Sequence, residues 1–132
     1  MALVIIGTGL AGYNLAREWR KLNPTSDLVI ITRDDGRNYS KPMLSTGYTK
    51  GKTADQLAMQ TAEQMAEQLK ADIRTFASVS AIDAAAKTVT VNGDVLAYDQ
   101  LVLALGADPF QPPLAGDGLE RVYTVNDLLD YA

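Results

Sequence analysis

The sequence predicts an α/β fold: a parallel sheet with helices on its faces and a small antiparallel β-meander serving as one crossover. Three observations predict it. Apolar runs at residues 3–6, 28–32 and 101–104 have the composition of strands buried on both sides. Helical apolar stripes separate the first strands, giving a β-α-β-α-β order that implies parallel pairing with right-handed crossovers. Between Val79 and Tyr98 short extended pieces replace that alternation, and Asn92-Gly93 sits between two of them as a type I′ hairpin signal.

Composition narrows the classes of function. A chain of 132 residues, 47% hydrophobic and 21% charged, is long enough for one domain with a real core. A net charge of −4 gives no electrostatic reason to expect nucleic acid or an anionic membrane as a partner. No apolar run approaches a membrane span, and the N-terminal run has no basic leader, so a cytoplasmic location is expected. Cysteine and histidine are both missing. That removes disulfides, thiol nucleophiles, dithiol redox pairs and the usual zinc sites from this chain, and no metal site is expected. Any redox chemistry would have to be carried by a bound cofactor.

The first strand, Leu3-Val4-Ile5-Ile6, runs directly into Gly7-Thr8-Gly9-Leu10-Ala11-Gly12 and then into a helix. This order suits a dinucleotide pyrophosphate. Gly7 permits the tight turn, Gly9 lets the main chain approach the phosphates, and Gly12 lets the helix pack close to the strand. The helix N-terminus offers unpaired N–H groups and a partial positive charge. The helix is predicted over residues 11–22, with Ala11, Leu15, Trp19 and Leu22 on its apolar face and Arg17, Glu18, Arg20 and Lys21 opposite. Trp19 is read as core. Asn23-Pro24 stops the helix.

The second strand, residues 28–32, ends in Arg33-Asp34-Asp35. In a strand–glycine loop–helix unit, an acid at this distance binds the adenosine ribose; Asp34 is the first choice and Asp35 the second. Arg33 could face the adenine or a 2′-phosphate, which leaves NADP open from this feature. Residues 36–52 form a long connection, expected to be ordered by Tyr39, Pro42 and the Met43-Leu44 patch. Lys41 is either a solvated lysine or a cation aimed at a ligand. Thr61 with Gln64 has capping-box form, and Ala62, Met65, Ala66 and Leu69 make the stripe of the helix that follows. A third strand is predicted at 72–76. Extended pieces at 79–83, 87–91 and 94–98 make the meander, and 101–104 returns to the main sheet as a buried strand. Gly106-Ala107-Asp108-Pro109 ends it. Asn126 or Asp127 is placed to cap a last helix.

The glycine motif, the Asp34 turn, Tyr39-Ser40-Lys41-Pro42, the meander and residues 98–109 occur in that order over essentially the whole chain. Together they resemble the N-terminal FAD-binding segment of the pyridine nucleotide–disulfide oxidoreductase superfamily. Residues 5–18 and 38–45 are similar to its bacterial rubredoxin–NAD reductase branch.

The resemblance implies a Rossmann-like FAD/NAD(P)-binding fold. It also implies that Gly7, Thr8, Gly9, Leu10, Ala11 and Gly12 hold the FAD pyrophosphate, with Asp34 on the adenosine ribose. Lys41 and Pro42 match the basic-Pro element near the flavin, Val79 the main-chain contact to adenine, and Gly106 with Ala107 the turn after the returning strand. No residue is assigned a certain catalytic role; Lys41 would act electrostatically. Dithiol branches carry a cysteine pair where this chain has Lys41-Pro42-Met43-Leu44-Ser45. Electrons would therefore pass from NADH to FAD and directly to rubredoxin or a similar one-electron carrier.

By the same resemblance, residues 1–110 are expected to be the first part of an incomplete FAD-binding domain, and 111–132 a linker toward an NAD-binding domain. A chain so truncated or split is expected to oxidise little NADH and to bind FAD weakly. Within the superfamily, a ferredoxin reductase or a nitrite reductase flavin subunit is the alternative. Outside it, the alternatives are a stand-alone NAD(P)-binding module and a non-catalytic interaction module.

Overall fold

The computed structural model describes residues 1–132. In chain order its elements are β1 (Ala2–Ile6), α1 (Leu10–Leu22), β2 (Asp27–Ile31), α2 (Ala54–Leu57), α3 (Ala62–Leu69), β3 (Asp72–Arg74), β4 (Val79–Asp83), β5 (Thr88–Val91), β6 (Asp94–Ala97), β7 (Gln100–Leu103) and α4 (Leu128–Tyr131). Short 3-10 turns lie at Lys41–Thr46 and Leu119–Arg121. The main sheet is parallel throughout, in the order β3-β2-β1-β7, and β4-β5-β6 form a separate antiparallel sheet.

The apolar runs are continuous because both faces of the main sheet are covered. Leu3, Ile5, Leu28 and Ile30 point to one face, where they pack with Tyr13 and Ala16 of α1 and Met65 and Leu69 of α3. Val4 and Ile31 point to the other, against Ala77 and the meander's Val89 and Val91. Ile5 and Ile30 are fully buried, each contributing about 1.5–3 kcal/mol. The meander is thus a packing layer as well as a crossover. Its β5–β6 turn has Asn92 at φ 48° and Gly93 at φ 89°, as a type I′ turn requires.

Several expectations about individual faces and ends are corrected. Helix α1 does not bury the face through Ala11, Leu15 and Leu22: Leu22 is 82% exposed, and Gly12, Tyr13 and Ala16 are the buried residues. The close approach of Gly12 to the glycine loop sets the helix rotation, turning residues 12, 13 and 16 toward the sheet. Trp19 is half-buried against the same cluster. Arg20 lies under the helix end rather than on the solvent side. Its guanidinium donates to the carbonyls of Leu69 at 2.6 Å, Ser26 at 2.7 Å, Asn23 at 2.8 Å and Lys70 at 3.0 Å.

Strand β3 stops at Arg74, and Phe76, with φ 48°, is 64% exposed. β7 is not fully buried. It pairs only with β1, and Leu103 is 56% exposed. The long connection after β2 is ordered, as expected, with Asn38 bridged to Gln60. Sequence patterning missed α2. It also missed the third apolar cluster, in which Leu44, Ala54 and Leu57 pack against Leu128 and Tyr131 of α4.

Candidate functional site

The carboxyl ends of the strands place the glycine loop, the β2 turn and the β7 turn side by side. β1 has β2 on one side and β7 on the other: the chain moves outward from β1 through β2 to β3 and later returns to place β7 on the opposite side of β1. A crevice opens at such a reversal in strand order. Here it is a cleft of about 930 Å³. Gly7, Thr8, Gly9, Leu10 and Ala11 line it from β1, Arg33 and Asp34 from β2, Lys41 from the connection, Val79 from the meander, and Gly106 and Ala107 from β7. Gly12 and Pro42 do not line it. Gly12 is buried behind the loop, and Pro42 is exposed in the first turn of the 3-10 segment.

The three glycines have different physical reasons. Gly7 has φ +119°, and a Cβ there would meet the Ala104 carbonyl oxygen at 2.0 Å. A Cβ on Gly12 would meet the Gly7 carbonyl oxygen at 2.0 Å. Gly9 is the opposite case: nothing lies within 4 Å of its Cβ position, so its small size keeps the cleft open. Gly9 is also the N-cap of α1, with no side-chain cap and no acidic residue in the first turn. The first helical bond runs from Tyr13 N to Gly9 O, so the amides before it have no partner within the helix. Those amides and the helix dipole make an anion-binding end.

The two candidate acids are separated by their partners. Asp35 pairs with Arg37 at 2.6 Å and accepts from the Arg37 backbone amide, and it does not line the cleft. Asp34 does line it. Its Oδ1 accepts from Thr32 Oγ1 at 2.7 Å and from Gly36 N at 2.9 Å, with Thr8 Oγ1 at 3.3 Å. Arg33 reaches Asp108 at 3.4 Å; both side chains are about three-quarters exposed, so the pair adds little stability. Lys41 is exposed and makes no ion pair.

Sequence reasoning did not find Thr32, Tyr39, Asn126 and Asp127 in this cleft. Tyr39 has its phenol pushed up to about 12 by burial and then by the charge of Asp34. Asn126 donates to the Ala107 carbonyl at 3.1 Å, tying the C-terminal stretch to the β7 turn. The signal for Asp127 was present as a helix cap, which it is, accepting from Asp130 N at 2.8 Å. A smaller hollow of about 390 Å³ beside Tyr48 and Tyr131 is lined by Lys52 and Asp55 and by no residue of the strand ends.

A parallel sheet with a glycine-rich loop at its first strand end, an acid after the second and a meander crossover defines an α/β domain of the dinucleotide-fold class. The chain belongs to the pyridine nucleotide-disulphide oxidoreductase family, whose model matches residues 1–132. It is 57% identical over 129 residues to the rubredoxin-NAD(+) reductase of Alcanivorax borkumensis, covering 98% of this chain and 34% of the relative. It is 44% identical to the enzyme of that name in Acinetobacter baylyi, with the same coverage. Among solved structures, the covalent putidaredoxin reductase–putidaredoxin complex is similar with a TM-score of 0.78 and 28% identity, over 98% of this chain and 33% of that one. The chain spans about a third of the length of the curated relatives it matches.

Proposed function

We propose that this chain is the FAD-binding segment of an NADH-dependent flavoprotein that passes electrons to rubredoxin or a similar one-electron carrier. The observation that carries this reading is the cleft itself: uncapped α1 amides, an open Gly9 and the Asp34 carboxylate all face one space. The residues fit the group. The Leu10 and Ala11 end of α1 would hold the pyrophosphate, Asp34 Oδ2 would accept from the adenosine ribose, and Val79 would border the adenine. Gly106 and Ala107 would flank the chain of the cofactor, and Lys41 would set a positive charge near the flavin ring. When bound, FAD supplies hydride acceptance and one-electron release. This chain has no cysteine to accept those electrons as a dithiol, which supports direct delivery to a protein carrier.

The rubredoxin assignment is supported by the names of the two relatives above, and a ferredoxin-type carrier by the putidaredoxin complex. In this reading residues 1–110 are the first part of the FAD-binding domain and 111–132 lead toward an NAD-binding domain. A cytoplasmic location goes with it; no helix is long and apolar enough to cross a membrane. A chimera joining this chain to the remaining two-thirds of the Alcanivorax borkumensis relative tests the proposal. It is expected to retain FAD through desalting and to reduce rubredoxin with NADH. A folded chimera that keeps NAD but not FAD would overturn it.

A further inference from the structure

Thr8 and Thr32 are both 6% exposed, and their hydroxyls meet beneath the glycine loop. β1 and β2 pair in parallel with Ile6 opposite Ile31, which brings the residues just beyond the two strand ends together. Thr8 Oγ1 lies 2.9 Å from Thr32 Oγ1, and Thr32 Oγ1 lies 2.7 Å from Asp34 Oδ1. The direction of both bonds follows from chemistry. A carboxylate only accepts, so Thr32 spends its single proton on Asp34. Its oxygen then accepts from Thr8, and also from Asp34 N at 3.3 Å. In such a chain each bond polarises the next. With Gly36 N at 2.9 Å, every hydrogen bond made by the Asp34 carboxyl ends on Oδ1. The carboxyl is held through Oδ1, and Oδ2, on a residue that lines the cleft, keeps no hydrogen-bond partner.

We infer that Thr8 and Thr32 are positioning residues for the ribose subsite: their hydroxyl relay fixes Asp34 so that Oδ2 receives the adenosine hydroxyls. Thr8 therefore serves the glycine loop through its side chain, by coupling the loop to the acid, and Thr32 makes the shorter of the two hydroxyl contacts to Asp34, 2.7 Å against 3.3 Å. This rests on the reading that the cleft takes the adenosine half of FAD.

The test titrates the chain with ADP and with 2′,3′-dideoxy-ADP, followed by backbone amide shifts. Both probes carry the diphosphate, and only ADP carries the ribose hydroxyls. Thr32→Val is expected to weaken ADP about tenfold, the loss of one hydrogen bond to a charged partner, and to leave dideoxy-ADP unchanged. Thr8→Val weakens ADP less, because Thr32 still holds Asp34. Thr32→Ser restores ADP to within about twofold. Equal loss of both probes in Thr32→Val would show a merely structural role and overturn the inference. So would unchanged ADP binding in Thr32→Val while Asp34→Asn loses it, with the FAD reading left standing. If Asp34→Asn does not change the ratio of the two probes, the FAD reading and this inference fall together.

Discussion

Gly7, Gly9 and Gly12 occupy one motif, yet substitution should affect them in opposite ways. A Cβ at Gly12 meets backbone at 2.0 Å, and backbone cannot yield as a flexible side chain can. Gly12→Ala is expected to cost more than about 3 kcal/mol in urea unfolding. Gly9→Ala meets nothing within 4 Å and should leave stability within about 1 kcal/mol while abolishing diphosphate binding. Equal stability losses would contradict this division. The need for Gly7 and Gly12 was legible in the sequence because backbone geometry follows from spacing. The choice between Asp34 and Asp35 was not, since it turns on Arg37 capturing the second carboxylate. The Thr8–Thr32 contact was hidden for a similar reason: it depends on strand register across 24 residues.

Helix α3 is an element whose local sequence agrees with its tertiary role. Thr61 Oγ1 accepts from Gln64 N at 3.2 Å, and Gln64 Oε1 accepts from Thr61 N at 2.9 Å. Thr61→Ala should cost about 1 kcal/mol by chemical denaturation, with Met65 and Leu69 still buried. An unchanged midpoint would show that packing alone holds the helix. Helix α1 was legible in extent but not in rotation. Its apolar residues at 15, 19 and 22 suggested one face, while the glycine contact selected another. Elements of four residues, α2 and α4, have too few turns to show periodicity. They form through capping boxes and through the apolar cluster they share.

For the whole molecule, the fold class was readable because strand, loop, helix and hairpin signals agreed in order. The exposure of β7 was not, because an apolar run reads the same in a central and in an edge strand. A buried phenol, Tyr13, and a half-buried one, Tyr39, make the molecule sensitive to alkali. Tyr13 is raised by burial and then by Asp34, and Tyr39 is pushed from 10.0 to about 12 by the same causes. Both bind their protons more tightly when folded. The stability they contribute is fully present below pH 10; the Tyr39 part is lost as pH rises through about 12, and the Tyr13 part at higher pH still. Phenolate absorbance should therefore show three of the six tyrosines, Tyr13, Tyr39 and Tyr131, ionising above the ordinary phenol value. Six independent ionisations near pH 10 would contradict that. A ligand held by the cleft should raise stability by about 2.7 kcal/mol at a hundred times its Kd.

Mapping backbone amide shifts during titration with FAD addresses the central claim most directly. The account predicts the largest changes at Thr8, Leu10 and Ala11, at Asp34 and Gly36, and at Gly106 and Ala107, with Asp34→Asn suppressing them. Shifts confined to the hollow around Tyr48, Lys52 and Tyr131, or shifts at the glycine loop that ignore Asp34→Asn, would contradict it.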